Sequence, residues 1–209
     1  MTVPRRLAVL LAAALLAAPA GCGDDGDSPS SDDVPSGAVA TVGETEISEA
    51  ELDEQVDALV RAQRGSGGND DSAADAPPSS QQREQLESQA LSTLLQRQAL
   101  EQEAADREIE VTPAEVRQRW EAASRGQFKT RKALRRFLGG QTERDLLAQL
   151  RLQVLAERVH QQVSEEAGGG KDGAKAVKQF QKDFQQRWSN RTACADGYTA
   201  AACAAGDSK

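Results

Sequence analysis

Aromatic side chains are scarce in this chain: 3% of its 209 residues, as two Trp, one Tyr and four Phe. So lean a supply excludes a β-sandwich rich in Val, Ile, Tyr and Trp. One His, one initiator Met and three Cys are too few soft ligands for a zinc ribbon. A basic excess is also missing. Lys and Arg total 25 against 33 Asp and Glu, for a formal charge of −8, so the dense positive patch that nucleic acid requires is absent. No Gly-rich loop leads into Lys-Ser or Lys-Thr, so ATP-driven work is not suggested and no cofactor is expected. What is present is 38% hydrophobic and 28% charged, enough for a lean aliphatic core in one domain or at most two small ones.

Residues 1–21 read as an export signal. Arg5 and Arg6 precede an apolar run over residues 7–18, shorter than the roughly 20 residues a membrane-spanning helix needs. Pro19-Ala20-Gly21-Cys22, followed at once by Gly23-Asp24-Asp25, resembles a bacterial lipobox with Pro19 where Leu is usual. The resemblance implies cleavage before Cys22 and lipidation of that cysteine, which would tether the chain outside the cytoplasm to the cell membrane. A secretory signal with an unmodified Cys22 and an uncleaved short anchor are the rival readings. Loss of Arg5 and Arg6 with the signal takes the formal charge from −8 to −10. Residues 22–37 offer one aliphatic side chain, Val34, among Gly, Ser, Pro and Asp, and read as a disordered acidic linker.

From Ala38 the pattern changes. Ala38-Val39-Ala40-Thr41-Val42 and Thr45-Glu46-Ile47 flank Gly43-Glu44, as two short strands or one strand and a turn. Ser48-x-x-Glu51 is a capping box, and Leu52, Val56, Leu59 and Val60 continue it as a helix to about Gln63. Residues 65–80 read as a disordered loop. A long helix then runs from Ser79 or Ser80 to near Arg107 on the stripe Leu86, Ala90, Leu91, Leu94, Leu95, Ala99 and Leu100. Thr112-Pro113-Ala114-Glu115 opens another, with Val116 and Trp120 one turn apart on its buried face. A short helix over residues 130–138 puts Leu134, Phe137 and Leu138 on one side and stops at Gly139-Gly140. Thr142 starts the most periodic segment, with Leu147, Leu150, Val154, Leu155, Val159 and Val163. Residues 167–176 read as a flexible Gly-rich loop, and a final helix from 177 carries Val177, Phe180, Phe184 and Trp188.

This order resembles the N-terminal chaperone domain of the SurA and PrsA group of exported foldases. The resemblance is carried by the segment from Val39-Ala40-Thr41-Val42-Gly43-Glu44 to Leu52, and by Phe137-Leu138-Gly139-Gly140-Gln141-Thr142 leading into the long helix. Phe180-Gln181-Lys182-Asp183-Phe184 to Trp188, then Cys194, Gly197-Tyr198 and Cys203, is similar to the end of lipid-anchored members. The implied fold is mainly α: a helical domain over residues 38–166 with a short hairpin at its start, completed by a C-terminal helix and tail over 177–209 that pack back on it. Full-length members carry a parvulin-type prolyl isomerase domain before the C-terminal helix. Residues 167–176 are too few to hold it.

The implied function is binding of unfolded exported polypeptides without nucleotide. Two alternatives stand beside it, a prolyl isomerase and an envelope scaffold with one dedicated partner. Parvulin-like chemistry uses paired histidines, and His160 stands alone among Gln153, Glu157, Gln161 and Ser164, which reads as a solvated surface histidine. With Cys22 assigned to lipid, Cys194 and Cys203 remain in an exported chain, and a disulfide follows, against a redox pair as rival. By the chain-entropy argument so small a ring would add roughly 2.5–3 kcal/mol. Trp120, Leu134, Phe137 and Leu138 are candidates for client contact, and burial in the core is the plainer role of most of this set taken together with Trp188. The charge runs Arg131-Lys132 and Arg135-Arg136 would rim a groove, touch anionic lipid or merely face solvent.

Overall fold

The computed structural model describes residues 30–66, 78–128, 130–138, 141–200 and 202–203. The expected signal, Cys22, residues 67–77 of the insert and Gly139-Gly140 lie outside the described residues. Strands β1 (Ala38–Val42) and β2 (Thr45–Ser48) form an antiparallel hairpin. Its turn needs Gly43, which sits at φ +57° and whose absent Cβ would stand 2.6 Å from Oε1 of Gln102. Strand β3 (Thr192–Cys194) arrives from the far end of the chain and pairs antiparallel with β1, giving the order β2-β1-β3. Three residues are too few to show alternation, so the sequence pattern held no sign of β3.

Among the described residues, five of six α-helix starts use one local device. Helices α1 (Glu49–Ser66), α2 (Ser80–Asp106), α3 (Pro113–Ser124), α4 (Arg131–Leu138) and α5 (Glu143–Glu166) follow Ser48, Ser79, Thr112, Thr130 and Thr142. Each of those hydroxyls accepts a hydrogen bond from the backbone N–H three residues on, at 3.1–3.3 Å. Such caps contribute about 1 kcal/mol apiece. At Ser48, Ser79 and Thr142 the side chain of Glu51, Gln82 or Asp145 reaches back to the cap's own N–H and completes a box. Ser30 and Asp33 repeat the box in miniature and close a single 3-10 turn, Ser31–Asp33. The described part of the linker segment thus opens with a turn, because the Ser-x-x-Asp spacing satisfies its own amides.

Helix α6 (Gly170–Ser189) corrects the expected loop over 167–176. The helix starts at Gly170 and the break shrinks to residues 167–169. Gly168, at φ +83°, closes α5 in a Schellman motif, its N–H donating to Glu165 O (2.9 Å) while Gly169 N–H donates to Ser164 O (2.8 Å). Gly173 is buried against α5: a Cβ there would lie 2.8 Å from the backbone O of Ser164. The glycines therefore make a tight antiparallel α5–α6 hairpin, where composition alone suggested slack.

Two apolar clusters hold these elements. The first joins the sheet (Val39, Val42, Ile47) to α1 (Leu52, Val56), the N-terminal two-thirds of α2 (Leu86 to Ala99) and Trp188 of α6. The second joins Ala104, Val111 and Val116 to Val154, Leu155 and Val159 of α5. Helix α2, about 40 Å long at 1.5 Å per residue, belongs to both and is the spine of the domain. Among the described residues no helix is long and apolar enough to cross a membrane.

Candidate functional site

An apolar groove of about 810 Å³ lies between α2 and α6, floored by α5. Leu95, Ala99 and Leu100 form one wall, Phe180, Phe184 and Trp188 the other, and Ala156, Val159 and His160 the floor. The α6 wall is a ladder of rings, since the 3.6-residue period stacks positions four apart: Phe180 and Phe184 have centroids 5.7 Å apart, Phe184 and Trp188 6.2 Å. Trp188 is buried, whereas Phe180 and Phe184 are half-buried, so the ladder has a fixed foot and an open upper part. His160 does not stand in solvent as its polar sequence neighbours suggested. It meets the Phe180 ring edge-on at 6.2 Å, because the α5–α6 hairpin folds α6 over that side.

A buried carboxylate ties the walls together. Glu103 of α2 is 4% exposed and accepts hydrogen bonds from Arg107 Nε (2.7 Å), Arg187 Nη2 (2.7 Å) and Trp188 Nε1 (3.4 Å). Two guanidiniums and an indole N–H offset its desolvation, and removing the carboxylate would leave the Trp188 N–H buried without a partner. Arg107 also lies 5.0 Å over the Phe180 ring and Arg191 4.7 Å over Trp188, cation–π contacts that hold the ladder upright.

The tail closes one end of the groove, where Thr192 and Ala202 line it. Cys194 and Cys203 are bonded, with their Cα atoms 5.6 Å apart, so strand β3 and Ala202 are held to one another. Tyr198, inside that ring, packs on the first cluster. Burial pushes its phenol pKa up, and the nearby Glu49, Glu87 and Asp53 carboxylates push the same way.

The four candidate contact residues lie elsewhere, on the arm formed by α3, α4 and their connection. Trp120 stacks on Phe128 (6.0 Å) and Phe137 (6.2 Å), and Phe128 and Phe137 are 4.8 Å apart. Trp120, Leu134 and Leu138 are half-buried, and Phe137 is 55% exposed, so none of the four belongs to either core cluster. The expectation that most of these side chains are core fails here. Helix α4 has only eight residues, and among the described residues its Phe137 meets the rings of Trp120 and Phe128. Trp188, the one aromatic in that expectation that reaches the core, does so from α6. The groove itself went unforeseen: Phe180, Phe184 and Trp188 were legible as one stripe, but the α2 wall facing it across a gap has no signal in local spacing.

Among the described residues no group of three or more His, Cys, Asp or Glu side chains is placed to hold a metal ion. Compared with known proteins, residues 5–160 match the family described as SurA-like N-terminal domain, a span that ends at His160 on the groove floor and leaves out α6 and the tail. No curated protein and no solved structure matches.

Proposed function

The chain belongs to the SurA-like N-terminal domain family, and from that premise we propose that it holds unfolded exported polypeptides in the groove between α2 and α6, without nucleotide. The observation that carries this reading is the half-open ring ladder: Phe180 and Phe184 present apolar area to a groove of about 810 Å³, on a wall anchored by Trp188 and Glu103. Apolar grooves of this kind accept many sequences because contact is with area rather than with a specific donor pattern. Lipidation of Cys22 and residence outside the cytoplasm at the cell membrane complete the proposal, supported by the lipobox-like Pro19-Ala20-Gly21-Cys22. A tether of that kind would concentrate the groove near emerging clients.

The test uses the chain from residue 22 onward with Cys22→Ser, which contains both apolar clusters and the disulfide. Aggregation of a chemically unfolded exported protein should be suppressed at near-stoichiometric ratios. Phe180→Ser with Phe184→Ser should abolish the suppression while the thermal transition stays cooperative. Absence of suppression for every client tried, or suppression untouched by the double change, would refute the groove reading. Proline-limited refolding should not accelerate at catalytic protein concentrations, and an acceleration would revive the isomerase alternative.

A further inference from the structure

Each wall of the groove is built in two rows. On α6 the inner row is Phe180, Phe184 and Trp188, and one position on runs an exposed outer row, Gln181 and Gln185. On α2 Leu95 and Ala99 are buried, with Gln96 exposed beside them. Among the described residues that line the groove none is Asp, Glu, Lys or Arg, although 28% of the chain is charged. Helix α6 carries its lysines elsewhere: Lys171, Lys175, Lys178 and Lys182 recur at steps of four, three and four on an exposed stripe outside the groove. Among the described residues the side-chain amides of Gln96, Gln181 and Gln185 have no hydrogen-bond partner. Gln161 of α5 and Gln179 of α6 are by contrast tied to Glu165 and Asp183 at 2.8 Å. The groove thus offers an apolar bottom and free amides along both edges.

On the reading that clients lie in this groove, we propose that Gln96, Gln181 and Gln185 hold the main chain of an extended, uncharged client segment. A chain extended along the groove sends alternate side chains down to the rings and out to solvent, and its N–H and C=O groups sideways to the walls, where the amides stand. A glutamine amide both donates and accepts, so it can meet either main-chain group. The spacing also fits. Positions four apart on a helix rise about 6 Å, and two residues of extended chain cover about 6.6 Å, so Gln181 and Gln185 stay in step with every second residue. Main-chain contact is indifferent to side-chain identity, and selection falls on charge instead. A charged side chain entering the groove would lose its water and find no opposite charge there.

The chain from residue 22 with Cys22→Ser is titrated into an end-blocked, fluorophore-labelled decapeptide of Leu, Val, Ser and Thr, with binding read by anisotropy. Phe180→Ser with Phe184→Ser should abolish binding, which locates the peptide in the groove. Gln181→Leu with Gln185→Leu should weaken it about 25-fold, at roughly fivefold for each lost amide contact, while the thermal transition stays in place. A groove that recognises apolar area alone would gain from two leucines, so the sign of the change decides. N-methylation of alternate peptide amides should also weaken binding. Two adjacent Lys or two adjacent Glu at the peptide's centre, one of which must face the rings, should each weaken it at least about tenfold. Unchanged or tighter binding by the double Leu variant, indifference to N-methylation, or full binding of the Lys or Glu peptide would overturn the proposal and leave the groove reading standing. Peptide binding that survives the two Ser changes, or none by the parent, would overturn it as well, and suppression of aggregation then decides the groove reading separately.

Discussion

Trp188 and Phe137 are both large rings on amphipathic helices, yet the first is 4% exposed and the second 55%. These two are the extremes of seven aromatic residues, which fall in two regions, the other five being half-buried. Phe180, Phe184, Trp188 and Tyr198 belong to α6 and the tail, while Trp120, Phe128 and Phe137 belong to the arm. Helix α6 has 20 residues laid against α5, a carboxylate from α2 at its foot, and β3 with a disulfide beyond it. Helix α4 has eight residues, and among the described residues Phe137 meets the other rings of its own arm. The difference teaches that an apolar stripe is buried in proportion to the partner available to it, not to its own regularity. Phe180, Phe184 and Trp188 became the wall of a groove, whereas Phe137 stayed at an exposed edge.

That contrast can be broken most severely from the α2 side of the groove. Leu95 is 2% exposed and belongs both to the first cluster and to the groove wall, so Leu95→Ala should cost about 3 kcal/mol in chemical denaturation and loosen client holding with it. A loss below about 1 kcal/mol would mean that the groove region tolerates collapse. Next in size is Gly173→Ala. Helix propensity alone would favour Ala by nearly 1 kcal/mol, yet the new Cβ would press on the Ser164 backbone oxygen. We expect a destabilisation of about 1–2 kcal/mol and weaker suppression of aggregation, since the α5–α6 hairpin sets the spacing of the groove floor and wall. A stabilised Gly173→Ala variant would show that the hairpin can open.

Acid should act on the body more than on the arm. The Ser48 backbone N–H holds the Glu51 carboxyl below its ordinary range, against an opposing cost of burial. At Asp145 burial raises the pKa, but the Thr142 backbone and hydroxyl hydrogen bonds, with Arg61 and Arg144, bring it out lower. Folded values below unfolded ones mean that this stability is complete above about pH 5 and is lost as the pH falls through the folded values, below about 4. Melting temperature should therefore drop across that window, and Glu51→Gln should flatten part of the drop. The smallest effect is expected at Phe137→Ala, within about 1 kcal/mol of the parent by denaturation, because the side chain is already half in water. A larger loss would place the arm's rings among the structural core.

Much of the backbone was legible because its signals are local. The starts of α1, α2, α3 and α5 follow from Ser48, Ser79, Thr112 and Thr142, whose hydroxyls answer amides three residues away, and a spacing of three is visible in any sequence. Helix α6 has no such cap, only Gly169, and its start was placed seven residues late for that reason. His160 was misjudged from the polarity of its own helix, when the covering face belongs to another. Cys194 and Cys203 were paired by counting, but the strand that Cys194 ends was not visible, because β3 exists only where β1 offers it hydrogen bonds.

By itself the sequence determined the mainly α class, the family order of elements and the stripes on α2 and α5, because capping, periodicity and composition act within a turn or two of helix. Only the tertiary structure decided which stripe would face a partner. The groove depends on Gly173 letting α6 close on α5 and on Glu103 reaching Trp188 from 85 residues away, contacts between segments whose separation along the chain no local pattern encodes.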